Sequence, residues 1–144
     1  MAAIHWAFSA RKVHSTNGVQ SPADALALRS EAFAVRTIRF ARSLARSPVI
    51  DSIARQLSRS GPGISANYRS ARRSRSRAEF IARLGVVVDE ADETEHWLSM
   101  IRDSELASGP ELDWLLRESG QLRAIFSKSL TTARRNYRQQ SRKS

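Results

Sequence analysis

Four times along this chain, apolar side chains recur at intervals of three and four residues, and a period held for several turns at a time dictates α-helix. The first run spans Leu28 to Arg46, with Phe33, Phe40 and Leu44 on one stripe and Ala34, Ile38, Ala41 and Ala45 beside it. Arg29, Arg36, Arg39, Arg42 and Arg46 are interleaved, and Ser47-Pro48 ends the run, because a residue ahead of proline is pushed out of the helical region. The second takes Ile50, Ile53, Ala54, Leu57, Gly61, Ile64, Tyr68 and Ala71 straight through Gly61-Pro62-Gly63. An internal proline removes one backbone hydrogen bond and crowds the preceding turn, so a kink near Pro62 is expected within one helix.

The third run follows Ser76-Arg77-Ala78-Glu79, a Ser-x-x-Glu capping box, and places Phe80, Leu84, Val87, Ala91, Thr94, Leu98 and Ile101 on one stripe. Ser108-Gly109-Pro110-Glu111 then supplies turn residues, a proline for the first helical position and an early acid to match the helix dipole. Leu112, Leu115, Ser119, Leu122, Phe126, Leu130, Ala133 and Tyr137 complete the fourth stripe. No segment competes as a strand, since the β-branched run Val86-Val87-Val88 sits inside a long helical period.

The expected fold class is all-α: an antiparallel up-down-up-down four-helix bundle over residues 26–140, with helices at 28–46, 49–73, 77–105 and 110–138. Residues 141–144 are expected to fray. Residues 1–25 lack a sustained period and contain His14-Ser15-Thr16-Asn17-Gly18 and Ser21-Pro22, so a poorly ordered N-terminal extension is expected, or a start codon set too far upstream. Two helices carry more apolar surface than one stripe needs: Val86, Val88, Trp97 and Met100 on the third, Trp114 and Leu116 on the fourth. A second buried face, hence self-association, is one explanation; singly scattered exposed residues are the other.

Charge narrows the partners. The chain has 24 Lys plus Arg against 14 Asp plus Glu, a formal charge of +10, and all the basic residues but Lys12, Lys128 and Lys143 are arginine. Such an excess suits a polyanion, and the planar guanidinium pairs with phosphate through two hydrogen bonds; a plainly solvated surface also accounts for it. Cysteine is absent, which removes disulfides, thiolate metal sites and cysteine nucleophiles together. No apolar run approaches the roughly 20 residues that span a bilayer. Trp6 and Phe8 precede Arg11 and Lys12, the reverse of a secretory leader, so the expected location is the cytoplasm.

The densest basic group is Arg69, Arg72, Arg73, Arg75 and Arg77, five arginines in nine residues with Tyr68 adjacent. Arg134, Arg135 and Arg138 beside Tyr137 form a second. Clusters of this kind neutralise nucleic-acid phosphates, although cations in a last helical turn also complement the dipole. Catalytic patterns are missing: there is no Gly-x-Ser-x-Gly elbow, phosphate loop or dinucleotide fingerprint. Glu93-Thr94-Glu95-His96 has the Glu-x-x-His form of di-iron bundles, but it occurs once, and His5 and His14 lie in the irregular extension. A di-metal site needs that motif on two helices, so neither metal nor cofactor is expected. The acids of the third helix, Glu79, Asp89, Glu90, Asp92, Glu93, Glu95, Asp103 and Glu105, are read as salt-bridging groups for arginines of the first two helices, within or between subunits.

Several short motifs occur in an order that resembles a known family. Gln56-Leu57-Ser58-Arg59-Ser60-Gly61, Ile64-Ser65-Ala66-Asn67-Tyr68-Arg69, Ala78-Glu79-Phe80-Ile81-Ala82-Arg83-Leu84, and Glu90-Ala91-Asp92-Glu93 with Trp97-Leu98 are similar to the bacterial four-helix-bundle proteins named for members encoded within intervening sequences of 23S ribosomal RNA genes. The resemblance runs from Leu26 to Tyr137 and departs at Pro62 and Gly63, where relatives carry small polar residues. It implies an up-down bundle, a ring-like homo-oligomer (a pentamer), no enzymatic activity, and distant kinship with the accessory variability determinant of diversity-generating retroelements, a basic bundle that binds RNA and a reverse transcriptase. Asn67 and Glu79 carry over as structural residues.

Two functional expectations stand side by side. One is a non-enzymatic oligomeric scaffold that binds RNA or a ribonucleoprotein through its arginine clusters. The other is a protein-protein interaction module whose basic residues meet the acidic third helix of a neighbouring subunit, with no nucleic acid.

Overall fold

A computed structural model describes residues 20–144; of the extension anticipated over residues 1–25, residues 1–19 lie outside the described residues. The chain forms four helices, α1 (Pro22–Ser43), α2 (Pro48–Ala71), α3 (Arg77–Asp103) and α4 (Pro110–Ser141), with no strand among the described residues.

The first helix starts at Pro22, ahead of the Leu28 expected from periodicity, and residues 22–25 belong to it and not to an irregular extension. Ser21 is extended and its Oγ accepts from the Asp24 N–H at 3.0 Å, Pro22 sits at the first helical position, and Asp24 meets the positive end of the dipole. Ser21-Pro22 is thus a start signal. The following Ala23, Ala25 and Ala27 offer too little hydrophobic contrast to show a period, although Ala23 is buried. The starts of α2 and α3 follow the same chemistry, with Ser47 Oγ accepting from Ile50 N at 3.1 Å and Ser76 Oγ from Glu79 N at 3.1 Å, whereas α4 starts behind Gly109 with no side-chain cap. The anticipated capping box is shifted by one residue, because the Glu79 carboxylate accepts from Arg75 N, at 2.8 Å, instead of Ser76 N. The helix ends differ too: α1 stops at Ser43, before an extended Leu44, and α4 runs on to Ser141.

α2 passes Pro62 without a break. The carbonyl left without its helical donor belongs to Ser58, which is exposed and open to water. Past the proline, Ser65 Oγ donates to the Pro62 carbonyl at 3.0 Å and Asn67 Nδ2 to the Gly63 carbonyl at 2.8 Å, a structural role for Asn67.

Chain neighbours pack against each other, α1 on α2, α2 on α3 and α3 on α4, while α1 meets α4 along a much thinner seam. The core is continuous, with Phe33, Leu57, Ile64, Leu84, Val87, Leu98, Ile101, Leu112, Leu115, Leu122 and Phe126 fully buried. Along the thin seam arginines make up the deficit. Arg36 forks onto Glu111, at 3.0 and 2.7 Å, and lies 3.4 Å from the centre of the Trp114 ring, which also contacts Phe33. Arg29 pairs with Glu118 and donates to Gln121 at 2.7 Å.

Candidate nucleic-acid interface

Alternating helix direction brings the start of α1, the end of α2, the start of α3 and the end of α4 to one end of the bundle. Both arginine clusters arrive there. Arg77 donates to Gln140 on the α4 tail, and Arg72 donates to Asp24 at the head of α1, so the groups at Arg69–Arg77 and Arg134–Arg138, far apart in sequence, form one basic surface. Tyr68 beneath it is buried against Phe126, with ring centres 4.9 Å apart, and its ring lies 6.0 Å from the Arg72 guanidinium.

The eight arginines divide by role. Arg72 and Arg77 are half-buried and tie α2 and α3 to α1 and α4. Arg69, Arg73, Arg75, Arg134, Arg135 and Arg138 are exposed. Two carboxylates enter the surface. Asp24 is held below the usual carboxylate range by its hydrogen bonds from Arg72 and Ser21, and Glu79 by the backbone N–H of Arg75 and then by Arg83. Two helix N-termini and two C-termini share this end, so the helix dipoles largely cancel and the field comes from side chains.

Sequence reasoning missed two groupings. Ser70, Arg73, Arg75, Glu79 and Arg83 line a cavity of about 570 Å³ at the α2–α3 junction. Near the α1–α2 turn, Arg42, Arg46, Arg55 and Arg59 surround a second cavity of about 650 Å³ with Leu44, Ile50 and Ala54 in its lining. The available signal was the i, i+4 repeat of arginines on both sides of Ser47-Pro48, which the turn folds onto one side.

The acidic helix is largely committed within the chain. Arg59 of α2 pairs with Glu90, at 3.3 Å, and with Glu93, and Arg123 of α4 pairs with Glu95 at 2.5 Å. Glu93 also accepts from Trp97 Nε1 at 3.4 Å, and the Arg59 bond lowers its pKa. Burial pushes the Glu90 carboxyl up, and its Oε2 is enclosed without a hydrogen-bond partner. His96 is exposed and meets Trp97 edge-on at 5.0 Å. No three metal-ligating side chains converge among the described residues. No described helix is long and apolar enough to cross a membrane.

The six surplus apolar residues do not form one outer face. Val88, Trp97, Trp114 and Leu116 are partly buried against the bundle's own core. Met100 is half-buried and Val86 exposed. The larger exposures are Val49 at the start of α2 and Leu28 and Val35 on the outer side of α1.

A family model described as 23S rRNA-intervening sequence protein matches residues 26–128. A crystal structure from Bacteroides thetaiotaomicron VPI-5482, of a protein with unknown function from the S23 ribosomal protein family, is similar at TM-score 0.69 and 28% identity, covering 76% of this chain and 97% of its own. No curated protein matches significantly.

Proposed function

The chain belongs to the 23S rRNA-intervening sequence protein family, and on that premise we propose that it is a non-enzymatic oligomeric helical scaffold that binds RNA, or a ribonucleoprotein, through the arginine-rich end of its bundle. The observation that carries this reading is the meeting of two arginine clusters at one end, with six exposed members, while Glu90, Glu93 and Glu95 are engaged by Arg59 and Arg123 elsewhere. Cations without internal carboxylates are available to phosphates. The family name of the Bacteroides neighbour, a ribosomal one, agrees with a ribonucleoprotein partner, and the absence of cysteine suits a reducing cytoplasm.

Binding to unstructured single-stranded RNA, followed across a salt series, tests the proposal. Log affinity should fall linearly with log salt, at a slope of about −0.7 per phosphate neutralised. Affinity absent at low salt, or indifferent to salt, overturns it.

The second reading, a protein-binding module, draws on Asp89 and Asp92, which are exposed beside Val86 on the outer side of α3. Replacing Arg73, Arg75, Arg134 and Arg138 by Gln separates the two, since none of the four anchors a neighbouring helix. Loss of RNA binding from an intact oligomer supports the scaffold; loss of the oligomer with RNA binding intact supports the module.

A further inference from the structure

The cavity at the α2–α3 junction has a charge that an internal nucleic-acid phosphate does not match. Arg83 is spent on Glu79, with Nη2 at 2.9 Å and Nε at 3.1 Å from Oε1. The other Glu79 oxygen accepts from the Arg75 backbone at 2.8 Å, which pins the turn that presents the remaining groups. Arg73 and Arg75 line the same cavity; both side chains are exposed and neither forms an ion pair or hydrogen bond with a carboxylate among the described residues, although the charge of Glu79 also reaches Arg75. Between them in the chain, Ser74 Oγ is enclosed and lacks a hydrogen-bond partner. The lining therefore offers two guanidinium forks whose N–H groups no described carboxylate engages, on a turn that also carries an unused hydroxyl.

We propose that this cavity receives a phosphate monoester, the terminal phosphate of an RNA chain. The proposal rests on the RNA-binding reading above and names the part of the RNA that this site takes. A monoester carries about −1.5 to −2 charges at pH 7 and three acceptor oxygens, enough to serve both guanidiniums at once through paired N–H···O bonds. An internal diester carries one charge and two free oxygens, and leaves one arginine half-served. The volume of about 570 Å³ falls in the roughly 300–1,000 Å³ range of small-molecule sites, enough for a terminal nucleotide.

The test uses the full chain and one unstructured single-stranded RNA of about ten nucleotides, carrying a 5′-phosphate, a 3′-phosphate or hydroxyls at both ends, with affinity read by fluorescence anisotropy at fixed salt. One phosphorylated form should bind about ten-fold tighter than the hydroxyl form, and adenosine monophosphate should abolish that preference. The preference should also shrink below about pH 6, where the monoester dianion takes up a proton and loses one of its two charges. Arg73→Gln with Arg75→Gln should erase it, whereas Arg134→Gln with Arg138→Gln should weaken all three RNAs alike and keep the ratio. Circular dichroism melts confirm that both double variants remain folded. Equal affinity for the three RNAs, or a preference that survives Arg73→Gln with Arg75→Gln, overturns the proposal and leaves general RNA binding standing. No binding of any form at low salt overturns both.

Discussion

Gly61 lies where α2 crosses α1, and a Cβ there would stand 2.6 Å from Thr37 Cγ2 and 3.0 Å from Thr37 Cβ. Thr37 is fully buried and β-branched, and its hydroxyl donates to the Phe33 carbonyl at 2.8 Å, so it has no room to yield. At Gly63 the same methyl would meet Glu90 Oε2 at 2.7 Å, the end of a longer side chain that can swing. Both substitutions gain about 1 kcal/mol of helix propensity. Gly61→Ala should nonetheless lose about 1–3 kcal/mol to overpacking, while Gly63→Ala should stay within about 1 kcal/mol of the parent in urea denaturation; equal losses would mean that Glu90 is as fixed as Thr37. Glu90 itself should set a pH dependence of inverted sign. Burial first, and then the neighbouring charges of Glu93 and Asp89, lift its pKa against the pull of Arg59. The folded state therefore binds its proton more tightly than the unfolded chain, and stability is lost as pH climbs from the ordinary value of 4.5 through the raised one. Asp24, Glu93 and Glu111 have lowered pKa values through their arginine bonds, so their stabilisation is present above the ordinary value and lost as pH falls through the lowered one. Glu90→Gln should become more stable relative to the parent as pH rises from about 4 to 7, read from denaturation midpoints. A difference that is flat across that range would show Glu90 to be no such group. The sequence revealed Gly61 as a small residue on a core stripe; it had no means of revealing that Glu90 points at the neighbouring glycine, because that contact depends on how α2 is rotated against α3.

Where helices begin was legible from capping chemistry more than from hydrophobic period. Ser47-Pro48, Ser76 and Gly109-Pro110 each start a helix where a serine or glycine stands ahead of the first turn. Ser21-Pro22 spells the same signal, yet the alanines after it carry no contrast, and the true start of α1 was hidden for that reason alone. Where helices end was less legible, and α3 shows the cause. Its C-terminus is a Schellman motif: Leu106 N donates to the Ile101 carbonyl and Glu105 N to the Arg102 carbonyl, each at 3.0 Å. Leu106 folds back against the core. The pivotal residue, Glu105, adopts φ 57°, a left-handed conformation that glycine normally fills and that no sequence pattern announces for glutamate. Glu105→Gly should therefore stabilise the protein by about 0.5–1 kcal/mol, despite the added freedom of the unfolded chain. A lowered thermal midpoint would mean that the Glu105 side chain contributes more than its backbone conformation costs.

At the scale of the molecule, local runs of arginine were visible in the sequence, but their merger at one end required the antiparallel topology. The cavity around Arg42, Arg46, Arg55 and Arg59 stayed unseen because two helices share it. The excess apolar surface of α3 and α4 is used in part within the chain, because Val88, Trp97, Trp114 and Leu116 are partly buried against the bundle's own core. Besides Val49 at the start of α2, Ile38 and Tyr137, the exposed large apolar residues are Leu28, 53% exposed, and Val35, 46% exposed, seven residues apart on the outer side of α1, and Val86, 42% exposed, on the outer side of α3. Glu31 and Arg39 flank the first pair, and Arg83 and Asp89 flank Val86. Because α1 and α3 are diagonal in the bundle, these apolar patches look in different directions. Self-association through them would join unlike faces of successive copies, the arrangement that closes into rings. Leu28→Lys with Val35→Lys should then give a monomer in sedimentation equilibrium, and so should Val86→Lys, each with helicity unchanged. Mixing the two variants is the sharper measurement. Each retains one intact face, so a contact between unlike faces allows a one-to-one dimer and nothing larger. A contact between like α1 faces would instead leave Val86→Lys fully assembled and the mixture no different from its parts.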